Sequence, residues 1–405
     1  MDILNRSKRI KPLNGKLEEI DFLVVDDERL MQTMVRQMLR DNGAGSLRVA
    51  ESASEAFRML RAKPAQVIIT DWHMPGMTGI ELLQAIKGDP DLFRTQVMLL
   101  SSETSPLGLM LAFEEGVDGF VLKPFNEKGL LVALLKLLGK RTGSSKRKLD
   151  EITKLKLLGR YKEAIDLGEQ LLIEFEGDED GAAGLNQILA ECHYAEGNVE
   201  EALKKAQAVN DKKNDSKSLS LMGRVYLENG NYEQAIEVLQ QAADQNPLNM
   251  SRRIELAAAF IKAGKVGEFK NMANALDLNK LTDMNLVGLA SCYLMCGEAE
   301  QAATLLRMSR DPLPSAAKVF NACGAALWKK KVGEESIKLY KRAIKIDPDY
   351  SNAHYNLGLA YCFLESYDEA KGSLECAIRL KPDYMPAKEL LGYIYQKQNI
   401  RPPAA

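Results

Sequence analysis

The chain has 405 residues, 54 basic against 56 acidic side chains, a formal net charge of −2 and 46% hydrophobic residues. That length exceeds one ordinary core, so two or three domains are expected, and the composition is that of a soluble globular protein. The near-zero charge argues against general nucleic-acid affinity. No apolar run approaches the roughly 20 residues that span a bilayer, and Met1 to Lys16 lacks the apolar core of a secretory signal. The six cysteines are scattered; Cys292 and Cys296 lie one helical turn apart, but no second pair joins them. Small buried thiols in a reducing compartment are expected, which places the protein in the cytoplasm.

After an N-terminal extension (1–19), strand-like and helix-like stretches alternate from residue 20 to 139. Phe22-Leu23-Val24-Val25 is an apolar run ending in Asp26-Asp27, and Glu28 to Arg40 follows with helical spacing, stopped by Asn42-Gly43. Leu47 to Ala50 predicts a second strand and Ser54 to Ala62 a helix closed by Pro64. The β-branched run Val67-Ile68-Ile69 predicts a strand buried on both faces and ending at Asp71. Pro75-Gly76 then breaks the chain before a helix from Gly79 to Lys87. Val97 to Leu100 ends at Ser101, and Pro106 to Glu115 makes a helix closed by Gly116. Gly119 to Leu122 ends at Lys123-Pro124, and Glu127 to Leu138 forms the fifth helix. Five such units imply right-handed crossovers and an α/β doubly wound, parallel, five-stranded sheet.

Asp26, Asp27, Asp71, Ser101 and Lys123 all fall at carboxyl ends of predicted strands, the edge where open α/β sheets bind ligands. Three clustered carboxylates repel one another unless a cation neutralises them, and hard oxygen donors with open positions suit Mg²⁺. Lys123 and the Ser101 hydroxyl can then bind the oxygens of a phosphoryl group arriving at Asp71, since carboxylates serve as nucleophiles to phosphorus. The alternative is that the acidic strand ends are merely solvated and Lys123 closes a salt bridge. Five polar residues converging on one edge weigh against it.

These residues carry a family resemblance. Val24-Val25-Asp26-Asp27, Asp71-Trp72-His73-Met74-Pro75-Gly76-Met77, Leu100-Ser101 and Lys123-Pro124-Phe125 resemble the receiver domain of bacterial response regulators, of the chemotaxis type and flavodoxin-like in fold. The intervals of 44 residues from Asp27 to Asp71, 30 to Ser101 and 22 to Lys123 are similar to that family's. The resemblance implies that Asp71 is the phosphoacceptor and that Asp27 ligates Mg²⁺ directly, with Asp26 acting largely through water. It also implies that Asp71 and the backbone carbonyl of His73 complete the metal shell, and that Ser101 and Lys123 bind the phosphoryl oxygens. Phe120 stands at the aromatic switch position, without the hydroxyl of a tyrosine. His73 and Glu103 flank the site, either tuning the lifetime of the acyl phosphate or serving as exposed loop residues.

Residues 140–149 include Lys-Arg-Thr-Gly-Ser-Ser-Lys-Arg-Lys, read as a solvated basic linker with contact to nucleic acid or an acidic surface as the alternative. Beyond it the sequence repeats. Leu219-x-x-Met222-Gly223-x-x-Tyr226 with Tyr232, Ala235 and Pro247 recurs as Phe320-x-x-Cys323-Gly324-x-x-Leu327 with Tyr340, Ala343 and Pro348. It recurs again as His354-x-x-Leu357-Gly358-x-x-Tyr361 with Tyr367, Ala370 and Pro382. The 34 residues from Pro348 to Pro382 are the tetratricopeptide period. About seven repeats and a capping helix are expected over 150–397, an all-α solenoid with a concave groove, followed by a tail (398–405). Small residues at the Gly/Ala positions should let paired helices approach closely, and the prolines should stop each second helix. His193 and His354 fall on framework positions and are expected to pack.

The whole resembles a response regulator with a tetratricopeptide output domain. It implies a sensor histidine kinase as phosphoryl donor and a protein partner for the groove, with no nucleic acid, no membrane and no enzymatic activity beyond the receiver's own phosphorylation and dephosphorylation. A homodimer through the receiver is left open. The alternative function is a phosphoryl sink that competes with a sister regulator for one kinase.

Overall fold

The computed structural model describes residues 17–139, 144–175, 179–213 and 216–398. Most of the expected N-terminal extension, the start of the basic linker (140–143) and the tail from 399 lie outside the described residues. Contacts divide the chain into two compact units, Met1–Ala263 and Gly264–Ala405.

The first unit opens with five strands, β1 (Asp21–Val25), β2 (Ser46–Ala50), β3 (Val67–Asp71), β4 (Gln96–Ser101) and β5 (Gly119–Leu122). All neighbours pair in parallel in the order β2-β1-β3-β4-β5, the doubly wound arrangement expected. Helices α1 (Arg29–Asp41), α2 (Ala53–Ala62), α3 (Gly79–Lys87), α4 (Pro106–Glu114) and α5 (Glu127–Gly139) cross between or follow the strands. The central strands β3 and β4 are buried along their whole length, which is why they read as unbroken apolar runs. Phe22, Val24, Ile69, Met98 and Leu100 pack with Leu130, Leu134 and Leu137 of α5 and with Val35 and Leu39 of α1.

Among the described residues beyond 139, helices follow without strands. In the first unit they are α6 (Ser144–Leu157), α7 (Tyr161–Glu174), α8 (Glu179–Ala195), α9 (Val199–Lys213), α10 (Ser216–Glu228), α11 (Tyr232–Gln245) and α12 (Met250–Lys262). Helix α6 begins inside the stretch read as a linker. In the second unit they are α13 (Val266–Asn274), α14 (Asp283–Met295), α15 (Ala299–Met308), α16 (Ala317–Lys329), α17 (Gly333–Ile346), α18 (Ser351–Phe363), α19 (Tyr367–Leu380) and α20 (Met385–Lys397).

The repeat code has the expected steric basis. A Cβ on Gly223 would lie 2.4 Å from Leu239 Cγ, and on Gly358 2.8 Å from Leu374 Cγ, so each glycine sits where two paired helices meet. Helices α11, α17 and α19 each end two residues before Pro247, Pro348 and Pro382. In the first unit the leading helices of successive pairs, α6, α8, α10 and α12, pack on one another. His193 is buried in α8, and His354 Nε2 lies 2.9 Å from the carbonyl oxygen of Pro348. Among the described residues no helix is long and apolar enough to cross a membrane.

Candidate functional site

The site forms at the carboxyl edge of the sheet. Strand β1 delivers Asp26, buried, and Asp27, exposed. The Glu28 N–H donates to Asp26 Oδ1 at 2.9 Å. Gln32, buried on α1, donates from Nε2 to the carbonyls of Asp26 (2.7 Å) and Ala50 (3.2 Å), tying the ends of β1 and β2 together. Strand β3 delivers Asp71, which is 9% exposed. The turn after it is held at both ends: the Trp72 N–H donates to the Leu100 carbonyl and the Gly79 N–H to the Trp72 carbonyl, each at 2.9 Å. Thr78 and Glu81 close a capping box at the start of α3.

Strand β5 and the cis peptide Lys123-Pro124 bring in the lysine. Its Nζ is 2.6 Å from Asp71 Oδ1 and 3.4 Å from Asp26 Oδ2. One oxygen each of Asp26, Asp27 and Asp71 can be chosen so that all three lie within 4.8 Å of one another. Burial pushes the Asp26 carboxyl above its ordinary range; the Glu28 N–H and Lys123 oppose this, and the charge of Asp71 adds to it. Burial pulls the Lys123 ammonium down, but the hydrogen bond and charge of Asp71, with Asp26 behind it, outweigh that and hold it above the ordinary lysine value. One ammonium against three carboxylates leaves the cluster short of positive charge. Hard oxygen donors at this spacing fit a divalent cation such as Mg²⁺. Among the described residues this is the only group of three or more His, Cys, Asp or Glu side chains close enough to share a metal, so Cys292 and Cys296 form no such centre.

Ser101 ends β4, fully buried, and its Oγ accepts the Glu103 N–H at 2.8 Å. The hydroxyl and N–H of Ser105 hold the Glu103 carboxyl below its ordinary range. Phe120 is half-buried, edge-on to Trp72 with ring centroids 6.4 Å apart. The His73 side chain is exposed, its ring centroid 5.9 Å from that of Trp72. The structure thus brings Asp26, Asp27, Asp71 and Lys123 together, with Ser101 at the end of the neighbouring strand.

Sequence reasoning missed two residues that shape the site. Gln32 looks like any polar position of an amphipathic helix. Gly79 was legible only as a helix start, yet a Cβ there would lie 2.1 Å from the Asp71 carbonyl oxygen. A glycine opening a helix just after a candidate nucleophile was the available signal.

Residues 22–135 match the family described as response regulator receiver domain. Tetratricopeptide repeat families match residues 226–287, 334–362 and 351–384, and residues 158–242 match a family described as anaphase-promoting complex, cyclosome, subunit 3. The chemotaxis protein CheY of Pseudomonas aeruginosa is 34% identical over 122 residues, 30% of this chain and 98% of the relative. Chemotaxis protein CheY-3 of Vibrio cholerae is 33% identical over 120 residues, 30% of this chain and 92% of that protein. Among solved structures, the Vibrio cholerae chemotaxis protein CheY4 has 32% identity and a TM-score of 0.28, covering 29% of this chain and 98% of its own. The chain therefore belongs to the response-regulator receiver family, as a receiver domain followed by tetratricopeptide repeats.

Proposed function

We propose that Asp71 accepts a phosphoryl group from a sensor histidine kinase, and that the phosphorylated receiver changes how the tetratricopeptide array engages a protein partner. The observation that carries this reading is the lysine ammonium 2.6 Å from Asp71, inside a cluster of three carboxylates. In this reading an Asp71 carboxylate oxygen attacks phosphorus as the P–N bond of the donor's phosphohistidine breaks and the departing imidazole nitrogen takes up a proton. Asp26, Asp27, Asp71 and the backbone carbonyl of His73 would hold Mg²⁺, which would supply positive charge to offset that of the phosphoryl oxygens. Lys123 moves from the Asp71 carboxylate to one phosphoryl oxygen, and the Ser101 hydroxyl donates to another. Phe120 follows Ser101 inward. Hydrolysis of the acyl phosphate resets the site, and the chain acts on no other substrate, working in the cytoplasm.

The test uses the full chain with Mg²⁺ and acetyl phosphate, followed by intact mass. One phosphoryl group per chain is expected, with none on Asp71→Asn and none after chelation of the metal. Uptake by Asp71→Asn equal to wild type would remove the assignment.

A further inference from the structure

Lys217, Ser220 and Arg224 are spaced three and four residues apart on α10, so they share one face of that helix. Arg252 and Glu255 stand three apart on α12, which packs against α10. With Glu191 of α8 these side chains line a cavity of about 230 Å³. Each of the ten described residues around it is polar or charged, so nothing in the wall suits an apolar ligand. The volume lies below the roughly 300–1,000 Å³ of pockets for drug-sized molecules, and a small polar metabolite is what fits. Arg224, with 43% of its side chain exposed, stands on the solvent side.

Four polar atoms of this wall are buried without a well-formed hydrogen bond: Ser220 Oγ, Arg224 Nε, Arg252 Nε and Glu255 Oε2. Ser220 and Arg252 are only 7% and 4% exposed. Buried polar groups normally find partners, so four unpaired atoms around one cavity point to a ligand that pairs them. Their neighbours are already fixed. Arg252 donates from Nη2 to the Ser216 hydroxyl at 2.8 Å, and its Nη1 lies 3.4 Å from Glu114 Oε2, which leaves the Nε edge of the guanidinium open. Glu191 is held by Lys156 at 2.6 Å. Arg224 Nε is 3.9 Å from Glu255 Oε1, too far for a hydrogen bond. Burial pushes the Glu255 carboxyl above its ordinary range, and the two arginines and the Ser220 hydroxyl oppose this without cancelling it. Glu255 is therefore short of a close cationic donor.

The charges around the cavity cancel, with Lys217, Arg224 and Arg252 set against Glu115, Glu191 and Glu255. A lone anion or cation would leave an uncompensated charge in this wall, whereas a molecule carrying both signs would not. The unpaired atoms divide the same way: two guanidinium N–H donors, one carboxylate oxygen and one hydroxyl. We propose that this cavity binds a free α-amino acid with a polar side chain. The ligand carboxylate accepts from Arg224 Nε and Arg252 Nε, while its ammonium donates to Glu255 Oε2 and Ser220 Oγ. An α-amino acid carries both charged groups on one carbon, which suits an arginine and a glutamate held 3.9 Å apart. The ligand side chain then meets polar groups alone. Nothing in this site depends on a phosphoryl group at Asp71.

Thermal unfolding of the full chain with each of the common L-amino acids, followed by titration calorimetry, tests the assignment. Amino acids with polar side chains should raise the midpoint, and leucine and phenylalanine should leave it where it is. For one that binds, the decarboxylated amine and the deaminated acid should each bind at least about tenfold more weakly, since each lacks one charge-assisted partner. Glu255→Gln should weaken binding by a similar factor from the ammonium side, and Arg224→Met from the carboxylate side. Glu255→Gln relieves a buried charge and should fold at least as stably as wild type near neutral pH, so its loss of binding would not reflect misfolding. If no amino acid shifts the midpoint, or if leucine and phenylalanine shift it as much as the polar ones, the proposal is wrong. Inorganic phosphate or acetate binding as tightly as the amino acid, and equally well to Glu255→Gln, would make this an anion site and overturn it too. Amino-acid binding unchanged in both variants would place the ligand elsewhere and remove the assignment.

Discussion

Asp71 is presented by its strand but positioned by its neighbours. The residue that constrains it most closely is Gly79, where α3 begins against the Asp71 carbonyl. A methyl group 2.1 Å from a backbone oxygen cannot be accommodated by a side-chain rotation, so Gly79→Ala must displace either the acceptor turn or α3. Overpacking of this kind costs about 1–3 kcal/mol. The expected outcome is a lower urea midpoint together with slower uptake of the phosphoryl group; an unchanged midpoint would show that the turn has room to spare. The polar members of the site were legible in the sequence because Asp, Ser and Lys after apolar strands are conspicuous. Gln32 and Gly79 were not, since their work is done through backbone carbonyls that no residue type announces.

Elements were legible wherever periodicity was strong. The strands are 4 to 6 residues long, bounded by turn residues, and every predicted α/β element is present within one or two residues of its expected limits. The array repeats make the same point through sterics, with one informative departure. Five turns between paired helices place glycine at positive φ, at Gly159, Gly197, Gly230, Gly264 and Gly297, whereas Lys331 (φ 65°) and Glu365 (φ 58°) adopt the same conformation with a Cβ. Lys331→Gly and Glu365→Gly should therefore each stabilise residues 264–405 by up to about 1 kcal/mol, read as a higher thermal midpoint. Loss of stability in both would mean that their side chains contribute more than the strain removes. A second prediction concerns α12, where burial pushes the Glu255 carboxyl above its ordinary range despite Arg224, Ser220 and Arg252. An acid with a raised folded pKa stabilises the fold at low pH, and that contribution is lost as pH rises through the folded value. Glu255→Gln should raise the thermal midpoint near about pH 7.5 and make little difference near about pH 4. An equal effect at both pH values would remove burial as the cause.

At the scale of the whole molecule, the contact between α4 and the array could not be read from the sequence. Glu114 and Arg252 are 138 positions apart, and each looks like a solvated residue near the end of a helix. Only the fold shows that they meet. That contact also bears on how strongly one site governs the other. Coupling between sites runs at about 1–3 kcal/mol, while a switch from 1:99 to 99:1 needs roughly 5.5, so phosphorylation should bias the array in a graded way. Metal binding offers a direct measure of how far a local event spreads. A ligand that binds only the folded state stabilises it by RT ln(1 + [L]/Kd), about 2.7 kcal/mol at a hundred times Kd. For a unit of this size that corresponds to a rise of about 5–10 °C in the midpoint. The two tryptophans divide the readout, because Trp72 lies in the first unit and Trp328 in the second. In Trp328→Phe, which leaves Trp72 as the probe, saturating Mg²⁺ should raise the fluorescence-detected midpoint by that amount. In Trp72→Phe, which leaves Trp328, the midpoint should not follow. If the proposed metal site is right, adding Asp27→Ala to the first variant should abolish the shift, since Asp27 is the exposed carboxylate of the cluster and does not support the core. A shift that survives Asp27→Ala would place the metal elsewhere. One that appears equally at Trp328 would show that the two units melt as a single cooperative body.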